Sequence, residues 1–111
     1  NLPKDKVPYW DFNAPNIPDE PRDASAAAVI ASALIELNSY QKSQPHYFKA
    51  AEQILKSLSS DKYLAKKGEN GLFILKHSTG NWPKKSEIDT PISYADYYYL
   101  EALLRYKKVK M

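Results

Sequence analysis

Pro8-Tyr9-Trp10-Asp11-Phe12-Asn13-Ala14-Pro15-Asn16-Ile17-Pro18-Asp19-Glu20-Pro21-Arg22-Asp23-Ala24-Ser25-Ala26-Ala27-Ala28 runs from a proline-stiffened polar loop straight into an alanine-rich helix. Pro8, Pro15, Pro18 and Pro21 fix φ and bias the residue before each away from helix, so Trp10, Asp11 and Arg22 sit on a nearly rigid platform. Such a loop feeding a buried helix is the architecture of a site.

The helix that follows is predicted over Ala24–Tyr40, with Asp23 or Ser25 as its cap. Its residues Ala24, Ala26, Ala27, Ala28, Val29, Ile30, Ala31, Ala33, Leu34, Ile35 and Leu37 leave almost no polar face, and a helix apolar all round must be buried all round. Ser43 and Pro45 open a second helix, in which Tyr47, Ala51, Ile54, Leu55 and Leu58 share one face and Lys49, Glu52, Gln53 and Lys56 the other; this is an outer helix. Residues 59–89 hold Gly68, Gly71, Gly80 and Pro83 around the short run Leu72-Phe73-Ile74-Leu75, which reads as loop with a short extended segment. Thr90 as cap and Pro91 at the first position start a last helix through Ile92, Ala95, Tyr98, Tyr99, Ala102, Leu103 and Tyr106, again nearly apolar all round. Inner and outer helices therefore alternate, as in stacked helical hairpins. Burying a Leu or Ile side chain is worth about 1.5–3 kcal/mol, so three helices that left two apolar backs in water would forfeit much of their stability. More helices are expected, from the same polypeptide or from a partner.

With 111 residues, 43% hydrophobic and 26% charged, the chain has the size and composition of one globular domain. A net charge of +3 with scattered lysines is too weak for a nucleic-acid footprint, though it suits an acidic small ligand. The absence of cysteine excludes disulfides and thiolate metal sites, and two distant histidines, His46 and His77, give a transition-metal site little support. His46 is read as solvent-facing and His77 as a satisfied structural histidine. No run approaches membrane-spanning length. The start Asn1-Leu2-Pro3-Lys4 has neither an initiator methionine nor the form of a signal peptide, which suggests a processed or truncated product.

Three motifs carry a resemblance. Tyr9-Trp10-Asp11-Phe12 with Pro21-Arg22-Asp23-Ala24-Ser25-Ala26-Ala27-Ala28, then Leu75-Lys76-His77-Ser78-Thr79-Gly80-Asn81-Trp82-Pro83-Lys84, then Tyr94-Ala95-Asp96-Tyr97-Tyr98-Tyr99-Leu100-Glu101-Ala102-Leu103-Leu104-Arg105-Tyr106 resemble, in order, the carboxy-terminal portion of the unsaturated glucuronyl hydrolases, glycoside hydrolase family 88. Two departures are visible: Ala24 stands where relatives often carry serine, and Tyr94-Ala95-Asp96 where they often carry Trp-Gly-Asp. The resemblance implies an all-α fold in which residues 1–111 form the carboxy-terminal part of one (α/α)6 barrel, a fragment of a larger domain. It also implies removal of a Δ4,5-unsaturated uronic acid from the non-reducing end of lyase-generated oligosaccharides. In that chemistry a carboxylic acid protonates carbon 4 of the double bond and water adds at carbon 5, unlike two-carboxylate displacement at an anomeric carbon.

The family's catalytic aspartates lie upstream of the matching portion, so no catalytic residue, metal or cofactor is assigned here. Trp10 and Asp11 are candidates to face the barrel mouth, an aromatic ring and a carboxylate suiting a sugar's apolar face and hydroxyls; the alternative has Trp10 packed under the loop and Asp11 bonded to backbone amides. Arg22 would fork onto a carboxylated ligand, or Arg22-Asp23 would serve as ion pair and helix cap. In the loop from His77 to Lys84, the groups of Ser78, Asn81, Trp82 and Lys84 suit a sugar bearing carboxylate or sulfate; the matching family loop lies near the leaving sugar, where seryl and lysyl groups can recognise sulfate. Asp96, flanked by apolar neighbours on a buried helix, needs a partner and is read as bonding another helix or loop. The expected partners are an unsaturated uronic-acid oligosaccharide and the remainder of the polypeptide, without nucleic acid or membrane, in a periplasmic or cytoplasmic setting. Rival readings are a non-catalytic helical module binding a saccharide or peptide through Trp10, Trp82 and the tyrosines, and the related unsaturated rhamnogalacturonyl hydrolases.

Overall fold

The protein is seen as a computed structural model that describes residues 2–40, 46–66, 73–80 and 88–110. Among the described residues three helices, α1 (Ala24–Tyr40), α2 (His46–Leu58) and α3 (Ser93–Lys110), carry it. Among the described residues the extended pieces meet only as isolated antiparallel bridges, Tyr9 with Arg22, Leu64 with Leu75 and Ser78 with Thr90. The fold is all-α.

Helix α1 starts and stops where the sequence places it. Asp23 is its cap: Oδ1 accepts the Ser25 amide at 3.1 Å and the Ser25 hydroxyl at 2.5 Å, satisfying a first-turn N–H that has no helical partner. From there Ala24, Ala27, Ala28, Ala31 and Ile35 run down one side at helical spacing, all within the core. These short side chains let α1 lie close to both neighbours, and it packs extensively against α2 and α3 while those two touch little.

Helix α2 divides as expected, burying Ala51, Ile54, Leu55 and Leu58 while Lys49, Gln53 and Lys56 face water. His46 is exposed, as read from the sequence. Ser43 and Pro45 lie outside the described residues. Helix α3 joins the core through Ala95, Tyr99 and Ala102. At its polar points it is tied to α2 by Tyr106, whose hydroxyl donates to Glu52 at 2.6 Å and whose ring stacks on Phe48 at 5.3 Å, and by Tyr99, whose hydroxyl meets that of Ser59 at 2.7 Å. The hydrogen bond to Glu52 pushes the Tyr106 phenol above its ordinary pKa. The seam between α1 and α3 holds a polar string. Ser32, almost fully buried, donates to Glu101 at 2.5 Å, and Arg105 donates to the Ser32 carbonyl at 3.0 Å and lies 3.4 Å from Glu36.

Two expectations are corrected. Helix α3 begins at Ser93, because Thr90 is committed elsewhere: its amide donates to Ser78 O at 2.8 Å and its carbonyl accepts Ser78 N at 3.0 Å. Pro91 therefore precedes the helix, and the first turn closes from Ala95 N to Ile92 O at 3.0 Å. Nor are α1 and α3 buried all round within this chain. Val29 is 38% and Leu37 40% exposed on α1, eight residues apart, and Tyr97 62%, Leu100 48% and Leu104 63% on α3, at three- and four-residue steps. Three helices have too little surface to cover both backs.

The extended segment expected before Leu75 exists from Phe73 onward; Leu72 lies outside the described residues. Ala65 N donates to Ile74 O at 2.8 Å and Lys76 N to Tyr63 O at 2.7 Å. Asp96 holds its other edge, Oδ2 accepting Ile74 N and Oδ1 accepting Leu75 N, both at 2.9 Å, as the sequence reading of an interior carboxylate required. A half-buried carboxylate satisfying two adjacent amides is hard to replace, since removing it strands both donors. Asp96→Ala is expected to lower unfolding stability by about 2–3 kcal/mol. Asp96→Asn, which keeps one acceptor, should lose about half of that, and denaturant titration of the two variants checks both values.

Candidate functional site

Both loops singled out in the sequence arrive at the amino-terminal end of α1. The first is held by Trp10 N to Pro21 O at 3.0 Å and Asp23 N to Pro8 O at 2.8 Å, which fold the proline-rich turn back on itself. Glu20 closes it further: Oε1 accepts Trp10 Nε1–H at 3.0 Å and Oε2 accepts Asn16 N at 2.7 Å. Trp10 is half-buried, whereas Asp11 is exposed and accepts the Asn13 amide at 2.8 Å. An open trough of about 500 Å³ lined by Leu2, Pro3, Tyr9, Asn13, Ala14, Pro15 and Ile17 runs beside this turn.

The second loop docks on the first. Ala24 N donates to His77 O at 2.9 Å, Thr79 N to Asp23 Oδ1 at 3.2 Å, and the Thr79 hydroxyl to Arg22 O at 3.0 Å. The helix cap is thus also a fastening for the loop. His77 Nδ1 lies 2.5 Å from Asp89 Oδ1, and its ring meets the edge of Tyr63 at 5.9 Å. Between the loops a cleft of about 190 Å³ is lined by Glu20, Pro21, Arg22, Lys62, His77 and Asp89. Its mixed charges offer donors and acceptors at close range, a lining that fits a polar, acid-bearing small molecule. Among the described residues no group of His, Cys, Asp and Glu is arranged to hold a metal ion, and no helix is long and apolar enough to cross a membrane.

Arg22, a candidate ligand fork, is turned inward. Its Nη1 donates to Asp5 Oδ1 at 2.9 Å and Oδ2 at 3.0 Å, to Val7 O at 3.0 Å and to the Tyr63 hydroxyl at 3.0 Å, while the guanidinium lies 4.7 Å over the Tyr9 ring. Tyr63 in turn donates to Asp5 Oδ2 at 3.0 Å, and Ser57 to Asp5 O at 2.6 Å. Burial alone would raise the Asp5 pKa, but the Val7 amide, Arg22 and Tyr63 outweigh it and hold the carboxyl below its ordinary 3.8. Burial would lower the Arg22 pKa; the bond to Asp5 more than offsets that, so it is raised. Burial pushes the Tyr63 phenol well above its ordinary value. Both members of the ion-pair-and-cap reading are therefore present, Arg22 as the pair and Asp23 as the cap.

Ser78 is fully buried, and its hydroxyl finds no hydrogen-bond partner among the described residues. Asn81, Trp82 and Lys84 lie outside the described residues. Asp5 and Tyr63 were missed by sequence reasoning: Asp5 sits between two lysines in a segment with no periodicity, and its partners lie 17 and 58 residues away.

No protein-family model matches the chain. It is 62% identical over 105 residues, 95% of its length, to an unsaturated glucuronyl hydrolase of Formosa agariphila, of which it covers 26%. It is 34% identical to an unsaturated chondroitin disaccharide hydrolase of Streptococcus pyogenes, matching over 96% of this chain and 28% of that protein. Among solved structures, it is similar to an unsaturated glucuronyl hydrolase specific for heparin at a TM-score of 0.91 and 62% identity, over 98% of this chain and 29% of the other. The unsaturated glucuronyl hydrolase of Streptococcus agalactiae superposes with a TM-score of 0.85 at 35% identity, over 96% of this chain and 30% of the other. The resemblance read from the motifs therefore extends over nearly the whole chain, and its three helices match a portion of these α/α-barrel enzymes. The chain spans about a quarter of the length of the curated relatives it matches.

The Asp5 carboxyl, with a folded pKa below the unfolded one, contributes stability that is present above pH 3.8 and lost as pH falls through its folded value. Asp5→Asn is expected to cost about 1–3 kcal/mol at neutral pH and to flatten the acid limb of the stability profile. Equal acid sensitivity in the two proteins, measured by urea unfolding from pH 7 to pH 3, would refute the assignment.

Proposed function

We propose that residues 1–111 are the carboxy-terminal part of a single (α/α)6-barrel catalytic domain that removes a Δ4,5-unsaturated uronic acid from the non-reducing end of glycosaminoglycan-type oligosaccharides. The observation that carries this reading is the 62% identity over 95% of the chain to an unsaturated glucuronyl hydrolase. The fold supports it, because the exposed stripes through Val29 and Leu37 on α1 and through Tyr97, Leu100 and Leu104 on α3 are surfaces that further helices of such a barrel would cover. The relatives' names, one for unsaturated chondroitin disaccharides and one for heparin, point to glycosaminoglycan-derived saccharides as the substrate class.

In this reading the reaction is hydration of the vinyl ether. A carboxylic acid elsewhere in the polypeptide protonates carbon 4, water adds to the resulting oxocarbenium-like cation at carbon 5, and the hemiketal collapses with loss of the leaving sugar. The present chain provides barrel wall and a recognition surface rather than the acid. Trp10 and Asp11 stand on the first loop's rim, where ring stacking and a carboxylate suit a sugar. Asn81, Trp82 and Lys84 would recognise the leaving sugar from the second loop, while Ser78, fully buried, would stand behind that surface rather than on it. Arg22 contributes to the ligand surface from behind, its charge balanced by Asp5 while it holds the two loops in register.

The test is the ultraviolet absorbance of the double bond in lyase-generated disaccharides. The full-length protein is expected to abolish it at catalytic concentration, while the isolated 111 residues leave it unchanged. No turnover of chondroitin or heparin disaccharides by the full-length protein would remove the activity from the reading. Turnover by the isolated chain would overturn the placement of the acid outside it.

A further inference from the structure

Helices α2 and α3 both pack on α1 yet touch each other little, and the space between them is an open groove of about 540 Å³. The two run antiparallel across it: Phe48 and Glu52 meet Tyr106 at one end, and Ser59 meets Tyr99 at the other. Leu55 and Leu103 give the groove an apolar floor, and the Tyr106 ring, held by its stacking on Phe48, lines it beside them. Gln53 and Ser59 add an amide and a hydroxyl to the lining, and Lys56 an ammonium group. Lys49, seven residues before Lys56, lies on the same edge of α2, and Lys107, four residues after Leu103, on the facing edge of α3. All three lysines are exposed, and among the described residues none of them is engaged in an ion pair. Against them stands the carboxylate of Glu52, which already accepts the Tyr106 hydroxyl. Helix α2 spends its one apolar face on the core, so its groove-side edge stays turned to water.

We propose that the groove between α2 and α3 binds a segment of acidic polysaccharide, a chain whose sugars bear carboxylate or sulfate groups. The apolar face of a sugar ring rests on Tyr106 and Leu103, its hydroxyls pair with Gln53 and Ser59, and its anionic groups meet Lys49, Lys56 and Lys107. The size of the groove suits a few sugar units, and its cationic rim draws a polyanion from a distance. A peptide finds less to hold. Both walls are helices whose backbone groups are spent within themselves, so no strand can be added to an edge, and two leucines on the floor are too few to seat the apolar face of another helix. The choice of a saccharide rests on the hydrolase reading given above, in which the protein works among fragments of such polymers.

The probe is a long chondroitin sulfate oligosaccharide with a saturated non-reducing end, which has no double bond to hydrate, titrated calorimetrically into the full-length protein at low salt. Lys56→Gln combined with Lys107→Gln is expected to weaken its binding about five- to tenfold, while turnover of an unsaturated disaccharide stays within about twofold of wild type. Raising the salt concentration should shrink the difference in affinity. Removing two exposed charges elsewhere, Lys4→Gln with Lys66→Gln, should leave the affinity within about twofold. Equal losses from the two pairs of substitutions, no binding of the saturated oligosaccharide, or equally tight binding of a glutamate-rich peptide overturns the proposal. A wild-type protein that leaves the disaccharide double bond intact, yet binds the saturated chain through Lys56 and Lys107, overturns the hydrolase reading instead and leaves the groove in place. Turnover of disaccharides with no effect of the two lysines on the saturated chain does the reverse.

Discussion

The pair of Arg22 with Asp5 is the constraint on which the rest of the structure hangs. Five separate pieces of chain converge on it: the amino-terminal segment through Asp5 and Val7, the first loop through Tyr9 and Arg22, the end of α2 through Ser57, the following turn through Tyr63, and the second loop through Thr79. The two side chains are 19% and 28% exposed, a depth at which attraction is only partly screened and desolvation stays moderate. The Val7 carbonyl and the Tyr63 hydroxyl share the guanidinium, and Lys62 stands 3.7 Å from the Asp5 carboxylate, so the pair sits in a wider polar knot.

Around that point the labour is divided between packing and polar fastening. Helix α1 is the common neighbour of α2 and α3, and its alanine line makes the contacts short rather than large. Specificity of register comes from the polar string of Ser32, Glu101 and Arg105, since a line of alanines alone would slide. The loops add Val7, Tyr63 and Leu75 to the core, with Leu64 and Ile74 packed against it, and are fastened by hydrogen bonds to Asp23 and Asp96. Carboxylates therefore do much of the structural work here, a sober counterweight to reading each of them as chemistry.

The helices were legible because helical information is local. Alanine density and the cap at Asp23 set α1 to its terminal residues, and the two-faced pattern of α2 was plain from Ala51 to Leu58. The start of α3 was not, because Thr90 and Pro91 carry good helix-start signals that a pairing with Ser78, twelve residues away, overrides. At the site, the sequence identified both loops and the double nature of Arg22-Asp23, yet gave no sign of Asp5 or Tyr63. Their roles arise from contacts between segments far apart in the chain, and neither sits in a pattern that periodicity or turn chemistry can register. The buried state of Ser78 was equally invisible, since a serine in a glycine-bearing loop normally faces solvent.

One oxygen of Asp23 serves two masters: it caps α1 through Ser25 and receives the Thr79 amide of the second loop. The loop is consequently not a detachable module. Transplanting residues 77–90 from a relative to alter sugar preference would also replace the group that completes the coordination of that oxygen, and a graft lacking a donor at the Thr79 position would leave the first turn of the central helix under-fastened. Changes of specificity in this scaffold are bound to travel with changes at the head of α1, so recombination points placed before the proline-rich loop should preserve function better than any placed between the loop and its helix cap.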